Sequence, residues 1–298
     1  MMRVAITGST GYLGSELSRI LPTQGHDVIP VVRGGSQNPE SIWNPQLGWI
    51  RSDALNGVDV AIHLAGENIG SRWTTKRRET LMTSRRDATK LLVNHLQRLD
   101  SPPKVFISAS AVGIYGDRGE ELLTEDSDIG SGPLVDICQA WEASTDLAAS
   151  SMRVIKLRLG TIFGTGAEVL DQYSGPVRMF VGGPLGSGSQ WAPWVHLSDV
   201  VKIITEAMSD EGYIGAYNVV APDSVRNKDL VKAMGRVLGR PTLFPPIPKL
   251  PLRLALGEMV DHLIFASQRV QPMRLEERGY QWEQPLIEPA LREAFGQN

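Results

Sequence analysis

Three glycines near the N-terminus constrain the fold of this chain more than any other feature. The segment reads Gly8-Ser-Thr-Gly11-Tyr-Leu-Gly14 and follows an apolar run directly. In a strand-to-helix turn, the first glycine permits the tight turn, the second admits a pyrophosphate, and the third allows close helix packing. The N–H groups and the positive dipole end of the helix would hold the anion. A chance glycine-rich turn is the alternative, but its context favours a dinucleotide site.

The first half of the chain alternates short Val- and Ile-rich runs with longer stretches of helical period. This alternation predicts a parallel sheet covered by helices. We predict strands at residues 3–7, 27–32, 49–51, 58–64, 104–108 and 154–159. We predict helices at residues 13–24, 75–99 and 135–150. Six strands would complete a Rossmann-type doubly wound α/β sheet.

The second half has a different organisation. Residues 164–194 are rich in Gly and Pro and predict loops, and a strand-helix-strand order returns over 195–220. We predict a Rossmann domain over 1–165, to which 191–220 returns, and a smaller substrate-side α/β domain over 166–298. Its C-terminal extension, 248–298, carries apolar residues from Leu250 to Ile264 at helical spacing, which predicts burial against the strand ends.

Composition narrows the functional class. The 298 residues carry 30 Lys and Arg against 33 Asp and Glu, a balance that argues against nucleic-acid or membrane-surface binding. The single cysteine, Cys138, excludes an internal disulfide and a thiolate metal cluster, so we expect no metal and a reducing, cytoplasmic location. We also expect no signal peptide or membrane span, a small-molecule substrate, and a monomer or homodimer.

The residue after the second predicted strand indicates which dinucleotide binds. An acid about 20 positions past the glycines would accept the ribose 2′-hydroxyl of NAD, but here Arg33 follows Val31-Val32 with no acid at hand. A guanidinium suits the 2′-phosphate of NADP, and a solvated surface arginine is the alternative. NADP is the predicted cofactor. Besides the three glycines and Arg33, we expect cofactor contacts from Ser9, Thr10, Tyr12, Leu13, Asp53, Leu64, Ala65, Gly66 and Ser108.

Further motifs extend along nearly the whole chain. They include His63-Leu-Ala-Gly-Glu-Asn-Ile-Gly, Ser108-Ala-Ser-Ala-Val-Gly-Ile-Tyr-Gly, Cys138-Gln-Ala-Trp-Glu, Trp194-Val-His-Leu-Ser-Asp and Ser267-Gln-Arg-Val. In these motifs the chain resembles the extended short-chain dehydrogenase/reductase superfamily, and within it the atypical epimerase-family proteins with a C-terminal domain of unknown function. The resemblance implies a Rossmann fold and a nicotinamide cofactor, and it leaves the substrate open.

Typical relatives transfer hydride with a Ser, Tyr and Lys set, in which Lys lowers the pKa of the Tyr hydroxyl. Ser110 fits the Ser position and would polarise a substrate oxygen. The Tyr-x-x-x-Lys pair is missing, because Cys138 and Glu142 stand in those two places. A nearby carboxylate disfavours the thiolate, so we predict that Cys138 is a small buried residue without a chemical role.

Three other residues are candidates for chemistry. Glu67, after the fourth strand, is a predicted acid or base, with a loop carboxylate as the alternative. Tyr115 is a candidate proton donor if its ring turns into the cleft, although packing is the simpler prediction. We predict a structural role for His196. The arginine pairs 77–78 and 85–86, interleaved with acids on one helix, predict a solvated face.

Two tryptophans stand where nucleotide-sugar epimerases of this superfamily place a diphosphate-binding Arg. Trp191 and Trp194 predict a flat apolar wall against a substrate, or packing at the domain junction. The sequence predicts an NADP(H)-dependent oxidoreductase or epimerase acting on a small carbonyl or hydroxyl compound. The alternative is a non-catalytic NADP-binding protein that presents a surface to a partner.

Overall fold

The computed structural model describes residues 1–34, 42–243 and 245–297. The strands are β1 (Arg3–Thr7), β2 (Asp27–Val31), β3 (Trp43–Asn44), β4 (Trp49–Ile50), β5 (Val60–His63), β6 (Val105–Ala111), β7 (Leu122–Leu123), β8 (Arg153–Leu159), β9 (Thr161–Phe163), β10 (Trp191–Ala192), β11 (Trp194–His196), β12 (Gly215–Val219), β13 (Val225–Arg226) and β14 (Arg269–Val270). The helices are α1 (Tyr12–Thr23), α2 (Thr75–Leu96), α3 (Pro133–Asp146), α4 (Glu168–Arg178), α5 (Leu197–Ser209), α6 (Asn227–Leu238), α7 (Lys249–Leu256), α8 (Met273–Glu277) and α9 (Ile287–Ala294).

In the described residues, a six-stranded sheet has the order β12-β8-β6-β5-β1-β2. Every neighbouring pair in this sheet is parallel. Helix α1 returns the chain from β1 to β2, and α2 connects β5 to β6, as the alternation of apolar runs and helical stretches predicts. The Rossmann-type α/β fold is therefore confirmed.

One predicted strand of the sheet is wrong. Residues 49–51 supply only β4, which pairs antiparallel with β3 in a short hairpin outside the central sheet. The hairpin closes through Gly48, whose φ of 63° favours glycine, and it buries Trp43 beside Val31. The sixth strand is β12, from the segment that returns to the sheet after residue 191.

A second hydrophobic cluster lies outside the central sheet. Helices α4, α6 and α9 contribute Leu170, Met234 and Leu291, which pack with Phe163 and Trp194 of the paired strands β9 and β11. The region predicted to be loop-rich thus contains α4, whose buried residues attach it to this cluster. The domain limits at residues 165 and 166 stay a prediction.

The C-terminal extension is buried only in part. Met259 and Val260 are 5% and 0% exposed, and Met259 belongs to the same cluster as Trp73. However, Leu250 and Leu254 on α7 are 68% and 70% exposed, so the predicted burial of the whole apolar set is wrong. Lys249 and Arg253 of α7 form ion pairs with Asp261 in the segment that follows, and these leucines of α7 face solvent. In the described ranges, no helix combines the length and apolar character that a membrane crossing needs.

Candidate functional site

The glycine turn has the geometry that a bound pyrophosphate needs. The N–H of Gly11 donates to the carbonyl of Gly8 at 2.9 Å, and Gly8 has a φ of 70°. A Cβ at position 14 would lie 2.1 Å from the Gly8 oxygen, so only glycine allows this close packing of α1 on the turn. Gly11 precedes α1 and makes no side-chain cap, which leaves the first N–H groups of the helix without intrahelical partners.

This turn lies where the strand order reverses. Strand β1 has β2 on one side and β5 on the other, and ligands of open α/β sheets bind at the carboxyl ends of such strands. The N–H groups of Leu64 and Ala65 donate to Thr7 Oγ1 at 3.2 and 3.3 Å. A Cβ on Gly8 would lie 3.0 Å from the Ala65 nitrogen. The structure therefore brings the glycine turn and the backbone of Leu64 and Ala65 together.

Thr7 and His63 support this edge, and sequence reasoning did not identify them. They are register partners on β1 and β5, with Thr7 Oγ1 and His63 Nδ1 2.8 Å apart. The Thr89 hydroxyl donates to the Arg85 carbonyl, so it accepts a hydrogen bond from His63 Nε2–H at 2.9 Å. His63 Nδ1 consequently accepts from the Thr7 hydroxyl. Burial, reinforced by the charge of Arg85, lowers the pKa of His63 to about 3 and keeps the ring neutral.

Arg33 has an acidic neighbour that the sequence concealed. Glu67, in the loop after β5, places Oε1 3.4 Å from Arg33 NH1 and Oε2 3.2 Å from Arg77 NH1. The prediction that no acid lies near Arg33 holds along the sequence but is wrong in the folded chain, where Glu67 lies beside it. Both Glu67 oxygens accept hydrogen bonds from guanidinium groups, which have only donors to offer. This geometry does not support its predicted role as an acid.

The arginines of α2 divide into two groups. Arg86 pairs with Asp87 at the surface, as predicted. Arg77 and Arg85 instead turn toward the Glu67 loop, which corrects the prediction of one solvated face: Arg85 NH2 donates to the Glu67 carbonyl at 3.1 Å. Its guanidinium lies 5.1 Å from the ring centre of Trp141, and burial lowers the pKa of Arg85. The loop after β5 therefore lies in a positively charged environment.

Ser110 lies on β6 rather than beyond it, and its hydroxyl is already engaged. Its Oγ donates to Glu142 Oε1 at 2.7 Å. Arg158, the register partner of Ser110 on β8, donates to both oxygens of Glu142 at 2.9 and 3.1 Å. All three residues are less than 9% exposed. Because the Ser110 hydroxyl has one hydrogen and donates it in the bond to Glu142, it has no further hydrogen with which to polarise a substrate oxygen.

Tyr115 extends the same buried network. Its hydroxyl donates to Asn218 Oδ1 at 2.7 Å and accepts from Arg158 NH1 at 2.9 Å. The residue is 0% exposed, and burial raises the pKa of its hydroxyl. The ring is packed in the core and not turned into the cleft, so the geometry does not support Tyr115 as a proton donor.

Cys138 is a buried side chain on α3. Burial, opposed by the nearby charge of Arg85, raises the pKa of its thiol to about 12, so the thiolate is absent near neutral pH. The geometry agrees with the predicted inert role. Within the described ranges, no three His, Cys, Asp or Glu side chains cluster as metal ligands would.

Two predicted cofactor contacts, Ser108 and Asp53, have different environments. Ser108 is 0% exposed and accepts a hydrogen bond from Thr145 of α3, so its side chain is part of the core and does not face a ligand. Asp53 is an exposed carboxylate 3.4 Å from Arg51 Nε. Near the turn, Ser9 is buried, Thr10 is exposed, and the Tyr12 hydroxyl donates to the Thr165 carbonyl at 3.3 Å.

The two tryptophans have different environments. Trp194 is 1% exposed, donates to the Asp223 carbonyl and stacks on Phe163, so its predicted contact with substrate is wrong. It is packed because β11 pairs with β9 and turns its side chain into the second cluster. Trp191 lies near the surface, with its ring centre 4.3 Å from the guanidinium of Arg226 and 5.1 Å from that of Arg269.

His196 and the segment after α7 have structural contacts. His196 is 4% exposed and lies between Ser198 and Glu293, which agrees with the predicted structural role.

The Gln268 N–H donates to the Trp191 carbonyl, and its side-chain amide donates to the Val112 and Gly116 carbonyls. The C-terminal extension is thereby attached to the end of β6.

Comparison with known proteins identifies the family. Residues 4–219 match the model of the NAD dependent epimerase/dehydratase family, and residues 247–294 match a domain of unknown function, DUF1731. Epimerase family protein ML0860 of Mycobacterium leprae is 35% identical over 291 residues, which cover 97% of this chain and 94% of that protein. Human epimerase family protein SDR39U1 is 32% identical over 296 residues, covering 98% of this chain and 99% of that protein.

Solved structures give the same result. The crystal structure of human SDR39U1 (isoform 2) with NADPH has a TM-score of 0.89 and 30% identity, and the match covers 100% of both chains. A nucleoside-diphosphate sugar epimerase from Corynebacterium glutamicum has a TM-score of 0.81 and 33% identity, covering 99% of this chain and 58% of that one. This chain therefore belongs to the NAD dependent epimerase/dehydratase family, as an atypical short-chain dehydrogenase/reductase with a C-terminal DUF1731 domain.

Proposed function

We propose that this protein binds NADP(H) at the carboxyl ends of β1, β2 and β5. The observation that carries the proposal is the glycine turn, where a Cβ at position 14 would lie 2.1 Å from the Gly8 oxygen, next to the uncapped start of α1. A pyrophosphate fits such a turn because it accepts hydrogen bonds from the free N–H groups of the helix. The NADPH in the structure of the human relative supports the same choice of cofactor.

Arg33 would distinguish NADP(H) from NAD(H). It follows β2, its side chain is 61% exposed, and its present partner is the Glu67 carboxylate at 3.4 Å. A guanidinium in this place can exchange a carboxylate for the 2′-phosphate of the cofactor. Leu64 and Ala65, followed by Gly66, would bound the other side of the site, because the N–H groups of Leu64 and Ala65 donate to Thr7.

NADPH would supply a hydride when bound, and reduction of a carbonyl also needs a proton. Of the candidate groups, the Ser110 hydroxyl donates its hydrogen bond to Glu142 and the Tyr115 hydroxyl donates its hydrogen bond to Asn218. Cys138, predicted to have no chemical role, is buried with a raised pKa. Glu67 is a carboxylate paired with two arginines. We therefore favour an NADP(H)-binding protein that does not use a Tyr-dependent dehydrogenase reaction, and whose cofactor occupancy a partner could sense.

The second candidate is an NADP(H)-dependent oxidoreductase or epimerase acting on a small carbonyl or hydroxyl compound. One observation favours it. Gln268 joins the C-terminal extension to the segment after β6, which would cover the nicotinamide end of a bound cofactor and exclude water. Loss of NADPH absorbance across a panel of small carbonyl compounds would decide for this candidate. No turnover by a protein that binds NADPH would decide for the first.

The binding proposal is tested by calorimetry with NADPH and NADH. We expect the protein to bind NADPH more tightly, and Arg33→Ala to weaken NADPH binding on the order of tenfold while changing NADH binding little. Arg19→Ala is a matched control, because Arg19 is similarly exposed and pairs with Glu16 on α1. Equal affinity of the unmodified protein for the two cofactors would refute the role of Arg33.

A further inference from the structure

Glu67 is shared between two cations whose roles differ. Arg33 comes from the end of β2 and Arg77 from the first turns of α2, and Glu67 gives one oxygen to each. The Arg33 contact is the longer one, at 3.4 Å against 3.2 Å, and the Arg33 side chain is the more exposed, at 61% against 24%. The carboxylate can therefore lose Arg33 and keep Arg77.

A phosphate on Arg33 would compete with this carboxylate. Both are anions that bind the same guanidinium, and they would repel each other when both lie beside it. If Glu67 moves entirely to Arg77, the phosphate can pair with Arg33, but the Arg33–Glu67 ion pair must first be broken. Glu67 therefore opposes the binding of a cofactor that carries a 2′-phosphate.

The same carboxylate would favour the other cofactor. The ribose of NADH has a 2′-hydroxyl, and in dinucleotide sites an acidic side chain accepts a hydrogen bond from it. Glu67 is the acid that the structure brings to Arg33, although 34 positions separate the two residues in sequence. The site thus contains a cation suited to NADP(H) and, in contact with it, an acid suited to NAD(H).

Resting on the proposed binding of NADP(H), we propose that Glu67 determines cofactor selectivity. It pairs with Arg33 in competition with the 2′-phosphate of NADP(H), and it accepts a hydrogen bond from the 2′-hydroxyl of NAD(H). Arg77 is the positioning residue that holds Glu67 when Arg33 is released. Cofactor preference then depends on how the Glu67 carboxylate divides between the two arginines. The residue predicted to be an acid or base would thus act at the ribose of the cofactor.

The test is calorimetry of Glu67→Gln with NADPH and with NADH. We expect NADPH to bind about three- to tenfold tighter and NADH about threefold weaker, which is the scale of a partly exposed charge contact. Opposite changes identify selectivity, because damage to the loop would weaken both cofactors. Glu79→Gln, an exposed acid on α2, is the matched control and should leave both affinities within about twofold.

Two further variants test the mechanism. In an Arg33→Ala background, Glu67→Gln should no longer improve NADPH binding, because the contested cation is gone. Arg77→Gln should weaken NADPH binding, because Glu67 then has only Arg33 as a partner. Changes of the two cofactors in the same direction, or no change on Glu67→Gln, would overturn the inference and leave NADP(H) binding intact. If the unmodified protein binds neither cofactor, the proposed function fails as well.

Discussion

Loss of the Glu142 carboxylate is expected to destabilise the fold more than any other single change in the buried network. Glu142 and Arg158 are 6% and 7% exposed, and the carboxylate accepts two hydrogen bonds from Arg158 and one from Ser110. Among the described residues, Glu142→Leu would leave the guanidinium with only the Tyr115 hydroxyl at 2.9 Å and the Glu125 carbonyl at 3.4 Å. An uncompensated buried charge costs about 3 to 5 kcal/mol.

The reverse substitution should cost less. Lys156 Nζ lies 3.8 Å from Glu142 Oε2, so Arg158→Met leaves the carboxylate with a second cation and with the Ser110 hydroxyl. In the described residues, Arg158 has no ion pair other than that with Glu142. We therefore expect Arg158→Met to lower the free energy of unfolding by about 1 to 3 kcal/mol.

The double variant separates a paired interaction from two independent ones. Replacing both charges by apolar side chains of similar size removes the unpaired charge. The remaining losses are single contacts: Ser110 and Lys156 lose the carboxylate, and the Tyr115 hydroxyl and Glu125 carbonyl lose the Arg158 donor. The double variant should then cost about 1 to 2 kcal/mol, well below the sum of the single changes. Urea unfolding followed by tryptophan fluorescence measures all three free energies. A double variant as destabilised as the sum of the single changes would refute the coupling.

Two further predictions concern buried titratable groups. The pKa of folded His63 is about 3, below the unfolded value of 6.5, so the unfolded chain gains a proton first as the pH falls. The contribution of His63 to the free energy of unfolding is full above pH 6.5 and decreases toward pH 3. Between pH 7 and pH 5, urea unfolding should therefore show that the unmodified protein loses about 2 kcal/mol more stability than His63→Asn. Equal losses would contradict the neutral ring. Cys138, with its pKa raised to about 12, should resist iodoacetamide near neutral pH when folded and react once per chain in urea, as mass spectrometry would show; alkylation of the folded protein would contradict its burial.

The sequence by itself determined the features that depend on local spacing. The interval between the glycines predicts the turn at Gly8, because only a residue without Cβ fits at Gly14. The alternation of apolar runs and helical stretches predicts the parallel sheet. The sequence also shows that Cys138 and Glu142 stand in the places of the Tyr and Lys of typical relatives. These features need no knowledge of distant contacts.

Tertiary structure alone decided which side chains meet. Glu67 reaches Arg33 because β5 and β2 both lie beside β1, and Arg158 reaches Glu142 because it is the register partner of Ser110 under α3. Strand register and helix placement fix such pairs, and one sequence specifies neither. Trp194 could equally face a cleft or a core by composition, and the pairing of β11 with β9 put it in the core. The fold and the glycine turn could therefore be predicted from the sequence, whereas the charges around the site depended on residues far apart in sequence.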